Sequence, residues 1–280
     1  MAMDFIGMKK TTSFSFVSML ILFVFSCFSA SAVAQIRPAN DTRNYGSAKE
    51  LKGVVYGLVV FVETDKCRFP KSSKDDFYRS WYSAQNWLVE QAAKMGQQVV
   101  FEGGNFGYDT SVAVSYIPTG IPDNGTLFVD EVFRSVGYED ANGFCRWLAN
   151  NGYKNGFALI VTNRKDRSYS YHHTKETSSG RDHNSLLETA VICRNGADGS
   201  YWPSSLSHEV LHLFGAWDLY ADSNYANSAE QQEMAYKMFP NSIMLRVGSS
   251  FDVLEVDCIT AWLIGWTSKY EDWYPWFQKQ

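Results

Sequence analysis

Between Ser207 and Tyr220 the chain reads SHEVLHLFGAWDLY. On a helix, His208 and His212 lie on one face, one turn or about 6 Å apart along the axis. Two imidazole nitrogens at that spacing can approach one ion at about 2.0–2.1 Å each. Glu209 sits one residue further round the helix, poorly placed as a ligand but well placed to touch a water on that ion. That is the position a general base needs. Two ligands do not complete a catalytic zinc site, which takes three from the protein and keeps one position open. Gly215 can adopt a left-handed backbone and end the helix sharply. The chain can then turn and return Asp218 to the same ion, a carboxylate oxygen at about 2.0–2.2 Å.

Such a helix must be started, stopped and held against a core. Trp202-Pro203-Ser204-Ser205 is a good helix start, with Pro and hydroxyl residues where caps are favoured. Val210, Leu211, Leu213 and Phe214 supply the apolar packing. Upstream, Val54–Glu63 (VVYGLVVFVE) is β-branched and aromatic and predicts a buried strand. Ser72–Met95 shows Phe77, Trp81, Ala84, Leu88, Ala92 and Met95 at helical spacing and closes at Gly96. Gln98–Glu102 returns as a strand, so the opening is β-α-β with parallel neighbours expected. Phe128–Val136 and Glu139–Asn150 read as shorter helices, Gly156–Thr162 and Leu187–Cys193 as buried strands. Between those strands runs the polar stretch Asn163–Ser185, long enough that a functional or disordered loop is expected. Ser228–Met238 predicts a helix, and Asp252–Trp266 a last one, with Asp252 and Glu255 at capping-box spacing. The aromatic tail Tyr270–Phe277 is expected to pack back onto the body.

The chain has 280 residues and a net charge of -5, with no dense Lys/Arg run, which argues against a nucleic-acid partner. Lys9 and Lys10 precede an apolar run from Phe14 to Phe28, and Ala32-Val33-Ala34 stands before Gln35. This predicts a cleaved signal peptide over residues 1–34, hence a secreted or periplasmic protein with no membrane contact after cleavage. Phe25 stands where a small residue is wanted before a lipidated cysteine, which disfavours a lipoprotein anchored through Cys27. No repeat or linker divides residues 35–280, so a single domain and a monomer are expected. Export permits disulfides among Cys67, Cys145, Cys193 and Cys258, in a pairing the sequence does not rank, and buried free thiols are the other reading. The spacing holds no C-x-x-C pair for zinc.

His208, Glu209, His212, Gly215 and Asp218 together resemble the zinc-binding signature of the metzincin clan of metalloendopeptidases. Asp in third place resembles its snapalysin-type branch, where most members carry a third histidine. The clan has a methionine-containing turn beneath the metal, and Ser242-Ile243-Met244 matches it in order and spacing. The resemblance implies an α+β fold: a twisted mixed β-sheet with a long N-terminal helix, an active-site helix, the Met-turn and a C-terminal helix. It also implies one catalytic Zn2+ and a substrate extended along a sheet edge. Some members place a Tyr two residues after the Met, where this chain has Arg246. The oxyanion-stabilising group is therefore open between Tyr220 and Tyr225. Arg246 is instead expected to line the pocket after the scissile bond and favour acidic or polar side chains. A cysteine-switch latency device finds only a faint echo in Cys67-Arg68-Phe69-Pro70. His172, His173, Asp182 and His183 mark the loop where a second, structural ion could sit.

The expected function is that of a secreted zinc endopeptidase acting on protein or peptide substrates, with Glu209 as general base and His208, His212 and Asp218 as ligands. The alternatives are a catalytically silent binding protein on the same fold and a zinc hydrolase of a non-protein amide.

Overall fold

Strand β1 (Gly53–Glu63) lies between two cores, with apolar side chains on both sides. Val55, Val59 and Phe61 enter one core, while Leu58, Val60 and Val62 enter a second on the opposite face. The same alternation recurs in β4 (Gly156–Lys165), where Phe157, Leu159 and Val161 oppose Ala158 and Ile160. A strand covered on both faces reads as a continuous apolar run, which is why these segments stand out in the sequence without a period-two signature.

The computed structural model describes residues 42–119, 125–171, 186–195, 199–221 and 227–278. The chain divides into two units, residues 1–36 and 37–280, and every described residue belongs to the second. The expected signal peptide, residues 1–34, lies outside the described residues. Among the described residues no helix is long and apolar enough to cross a membrane.

The architecture is α+β, with a mixed sheet. Helix α1 (Lys71–Lys94) crosses from β1 to β2 (Val99–Phe106), and these two strands pair in parallel as the β-α-β reading expects. The short β3 (Val112–Ala113) pairs with β1 further along. Helices α2 (Gly125–Ser135) and α3 (Ala141–Asn150) follow, then β4, β5 (Tyr169–Tyr171) and β6 (Glu188–Arg194). The sheet order is β2-β1-β4-β6-β5, and β5 alone is antiparallel to its neighbour. Side chains of α2 and α3 fill the core on one face. On the other lie α1, α4 (Pro203–Leu213) and the C-terminal part of the chain, with α5 (Ala229–Met238) and α6 (Cys258–Leu263). Tyr274 and Phe277 are buried in the core they share with Val55, Val59 and Phe61, so the aromatic tail does pack back onto the body.

Two expectations need correcting. The last helix does not span Asp252–Trp266; it is only Cys258–Leu263. Asp257, not Asp252, caps it, accepting from the Ile259 and Thr260 amides at 2.9 Å each. The residues before it are extended because Glu255 pairs with Ser242: the Ile243 amide donates to the Glu255 carbonyl at 3.0 Å, and the Glu255 amide to Asn241 at 2.9 Å. A tertiary partner thus takes backbone groups that a longer helix would have used itself. The long polar stretch is also not all loop. Strand β4 continues to Lys165, and β5 turns back to become the sheet's edge.

No disulfide forms among the described cysteines: Cys67, Cys145, Cys193 and Cys258 are free thiols. Cys145 on α3 and Cys193 on β6 pack as small apolar groups in the core beneath α2 and α3, and burial pushes each thiol up to about 12.

Candidate metal centre and catalytic cleft

Helix α4 is buried along its whole length, and its sequence places both histidines toward the interior. Its end is set by Gly215, which takes φ +96. The Gly215 amide donates to the His212 carbonyl at 2.8 Å and the Ala216 amide to Leu211 at 3.1 Å. This crossed pair is the Schellman arrangement, which needs a left-handed residue at the Gly215 position. The tight turn also lets Ala216 present its carbonyl to His212 Nδ1 at 2.8 Å. Three residues on, Asp218 has returned to the histidines.

Three ligand atoms meet there. His208 Nε2 and His212 Nε2 are 3.1 Å apart, and Asp218 Oδ1 lies 3.2 Å from the first and 3.1 Å from the second. Four ligands placed tetrahedrally around zinc at ordinary bond lengths are separated by about 3.3–3.4 Å, close to the edges observed. The ligand chemistry, two imidazoles and a carboxylate, also suits zinc.

The rings' other nitrogens decide what these atoms offer. His208 Nδ1 lies 3.0 Å from the Ile243 carbonyl and His212 Nδ1 2.8 Å from the Ala216 carbonyl. A carbonyl only accepts, so both Nδ1 atoms carry the hydrogen and each neutral ring turns an Nε2 lone pair inward. Two lone pairs and a carboxylate oxygen then converge with no hydrogen between them. Such a group is repulsive unless a cation sits among its members. Without an ion, a proton on His212 takes that place. Burial works against a charge on His212, but the Asp218 carboxylate outweighs it and lifts that imidazole to about 9. Burial likewise opposes the Asp218 charge, yet the two imidazoles hold its carboxyl far below the usual range.

The turn at Ser242–Leu245 braces this cluster from below. Met244 is fully buried, and Ser242 fixes the turn by donating from Oγ to Asp257 Oδ2 at 2.6 Å while accepting from the Met244 amide at 3.1 Å. The Ile243 carbonyl orients His208, and the Met244 carbonyl accepts from the Leu219 amide at 2.8 Å, tying down the residue after Asp218. One turn therefore positions ligands from both ends of the motif. Fixing the tautomer and orientation of a ligating histidine in this way is the usual task of the groups behind a metal.

Glu209 is buried beside His208 and lines a cavity of about 580 Å³. Its Oε2 accepts from Ser170 Oγ at 2.5 Å, and the same hydroxyl lies 3.0 Å from the Glu209 carbonyl. Ser170 belongs to β5, so the edge strand holds the carboxylate. Sequence reading missed this residue. The signal was the Ser/Tyr alternation Ser168-Tyr169-Ser170-Tyr171, a period-two pattern lost inside a polar stretch.

Arg246 and Tyr220 also line the cavity. The Tyr220 ring stacks toward His208 with centroids 6.2 Å apart, its hydroxyl bonds to Asp218 and Arg167, and burial pushes it well above the ordinary tyrosine range. Tyr225, the other oxyanion candidate, and His172, His173, Asp182 and His183, the second-ion candidates, lie outside the described residues. Neither a protein-family model nor a curated protein matches this chain. The site's own geometry must carry the functional reading.

Proposed function

We propose that this protein is a metzincin-like, zinc-dependent endopeptidase that acts outside the cytoplasm after loss of residues 1–34. The observation that carries this reading is the convergence of His208 Nε2, His212 Nε2 and Asp218 Oδ1 within 3.1–3.2 Å, with both imidazole Nδ1 atoms tied to backbone carbonyls. Zinc bound there would supply Lewis acidity, bringing a water's pKa down towards about 7 and polarising a carbonyl. His208, His212 and Asp218 would hold it, and the Ile243 and Ala216 carbonyls would keep the two rings in the ligating tautomer.

Glu209 carries the proton. Its carboxylate accepts one from the attacking water and delivers it to the leaving amine, so no covalent intermediate with the protein is required. Ser170 holds that carboxylate against the cavity wall. Tyr220, protonated throughout the working pH range and adjacent to His208, is the described candidate to stabilise the developing oxyanion, donating to it once its hydroxyl turns from Asp218. The short edge strand β5 flanks the cavity and offers backbone groups to an extended peptide, which favours a polypeptide substrate over a compact small molecule.

The test is to express residues 35–280 and measure bound zinc and hydrolysis of an unstructured protein, with and without chelator. Asp218→Ala should lower the zinc content. Glu209→Ala should keep zinc and lose turnover. Full zinc loading with no hydrolysis across a broad peptide library would leave a binding protein instead, and no zinc in the wild type would remove the reading altogether.

A further inference from the structure

The cavity beside Glu209 has a chemistry of its own. Besides His208 and Glu209, the described residues of its wall are Lys165, Arg167, Arg194 and Arg246 against one further acid, Asp166, with neutral side chains between them. The chain as a whole has a net charge of -5, so this concentration of cations is not a property of the surface at large. Asp166 does little to offset it, since Arg164 Nε lies 3.2 Å from its Oδ2 and the Arg167 amide donates to its Oδ1 at 2.8 Å. Among the described residues Arg246 is tethered to a neutral group, donating from Nη2 to Asn241 Oδ1 at 3.0 Å.

Two polar groups in the same wall lack partners. Ser205 is 5% exposed, and its Oγ has no hydrogen-bond partner among the described residues. Arg194 Nε, at the end of β6, is likewise buried and unpartnered among the described residues. Buried donors are ordinarily satisfied, and two orphans in one cavity wall point to a partner that arrives with a ligand. Ser205 also lies in the first turn of α4, which is capped by no side chain and has no acidic residue to offset its dipole. The positive end of that helix adds to the preference for an anion.

We propose that this cavity is an acid-selective subsite in which Arg194 and Ser205 receive the carboxylate of a substrate Asp or Glu next to the bond being cut. The inference rests on the endopeptidase reading and adds the class of side chain the enzyme selects. Arg194 supplies a planar guanidinium suited to a carboxylate, Ser205 a hydroxyl donor, and Arg246 a further positive charge in the same wall.

The experiment compares paired peptides identical except for Asp or Asn beside the scissile bond. For the wild type, the kcat/KM ratio of Asp over Asn should be roughly tenfold or more, the effect of one charge-assisted pair held away from solvent. Arg194→Met, which keeps the apolar stem, should bring that ratio towards one, Arg194→Lys should restore part of it, and Ser205→Ala should reduce it. A second readout needs no turnover: zinc-loaded Glu209→Ala should bind the Asp peptide more tightly than the Asn peptide, as followed by fluorescence anisotropy. Cleavage of both peptides at equal efficiency overturns the acid-selective subsite and leaves the peptidase intact. A preference that survives in Arg194→Met overturns the assignment of Arg194. If the wild type cuts neither peptide, the peptidase reading fails, and the anisotropy result alone decides whether the cavity selects acids.

Discussion

Replacing Gly215 by alanine tests the reasoning at the point where one backbone angle determines whether a third ligand exists. At φ +96 an L-residue is strained, and a left-handed conformation costs about 1–2 kcal/mol for a residue with a Cβ. That Cβ would also lie 2.6 Å from the Thr42 carbonyl oxygen and 3.0 Å from its carbon, backbone atoms that cannot swing aside. Forcing extra volume into a packed site adds about 1–3 kcal/mol. Together these predict a loss of about 2–5 kcal/mol, or roughly 4–20 °C in Tm for a chain of this size. The Ala216 carbonyl that orients His212 and the return of Asp218 both depend on the same turn, so zinc content should fall with stability. Thermal unfolding of the metal-free protein, followed by zinc titration, measures the two effects separately. Gly248→Ala is the control: nothing lies within 4 Å of its added Cβ, and stability should stay within about 0.5 kcal/mol of wild type. Gly215→Asn relieves the backbone strain but keeps the collision, and should recover only part of the loss. A Gly215→Ala protein as stable as wild type and fully loaded with zinc would refute the account of the turn.

Ser170→Ala removes a hydroxyl-to-carboxylate bond of the kind that contributes about 1.5–3 kcal/mol, so kcat should fall by about one to two orders of magnitude while zinc content is unchanged. In the metal-free protein His212 has a pKa of about 9 against an ordinary 6.5. The stability this contributes is fully present below pH 6.5 and lost as pH rises towards 9, which urea unfolding in chelator should show; zinc, which needs the neutral ring, should bind more tightly over the same interval. Alkylation without reductant should modify Cys258 in the native protein, and Cys145 and Cys193 only after unfolding; a mass showing bridged cysteines would contradict the free-thiol structure.

Legibility in the sequence followed the range of the interactions. Helix α1 was readable because its core residues recur at helical spacing, and Gly96 marks its end at φ +70. Helix α5 was readable from Ser228, which caps it in a reciprocal pair with Gln231. The Asp252–Glu255 pair had equally suitable spacing and failed, because the Glu255 backbone is engaged by the turn that carries Ile243. Strand β5 was missed for the related reason that three residues on an edge acquire their conformation only from pairing with β6.

What the sequence determined by itself is the set of candidate ligands and its logic: two histidines one turn apart, an adjacent glutamate, a glycine to end the helix and an aspartate after it. These are properties of residue type and local helical geometry, and α4 with its Schellman turn reproduces them. Tertiary structure decided which lone pair His208 offers, because the Ile243 carbonyl that fixes it is remote in sequence and near only in space. It also decided that Glu209 is held by Ser170 and that Arg194 and Ser205 share a wall with it. Polar groups that converge from four separate elements have no common spacing along the chain, and only the packed sheet and helices bring them to one place.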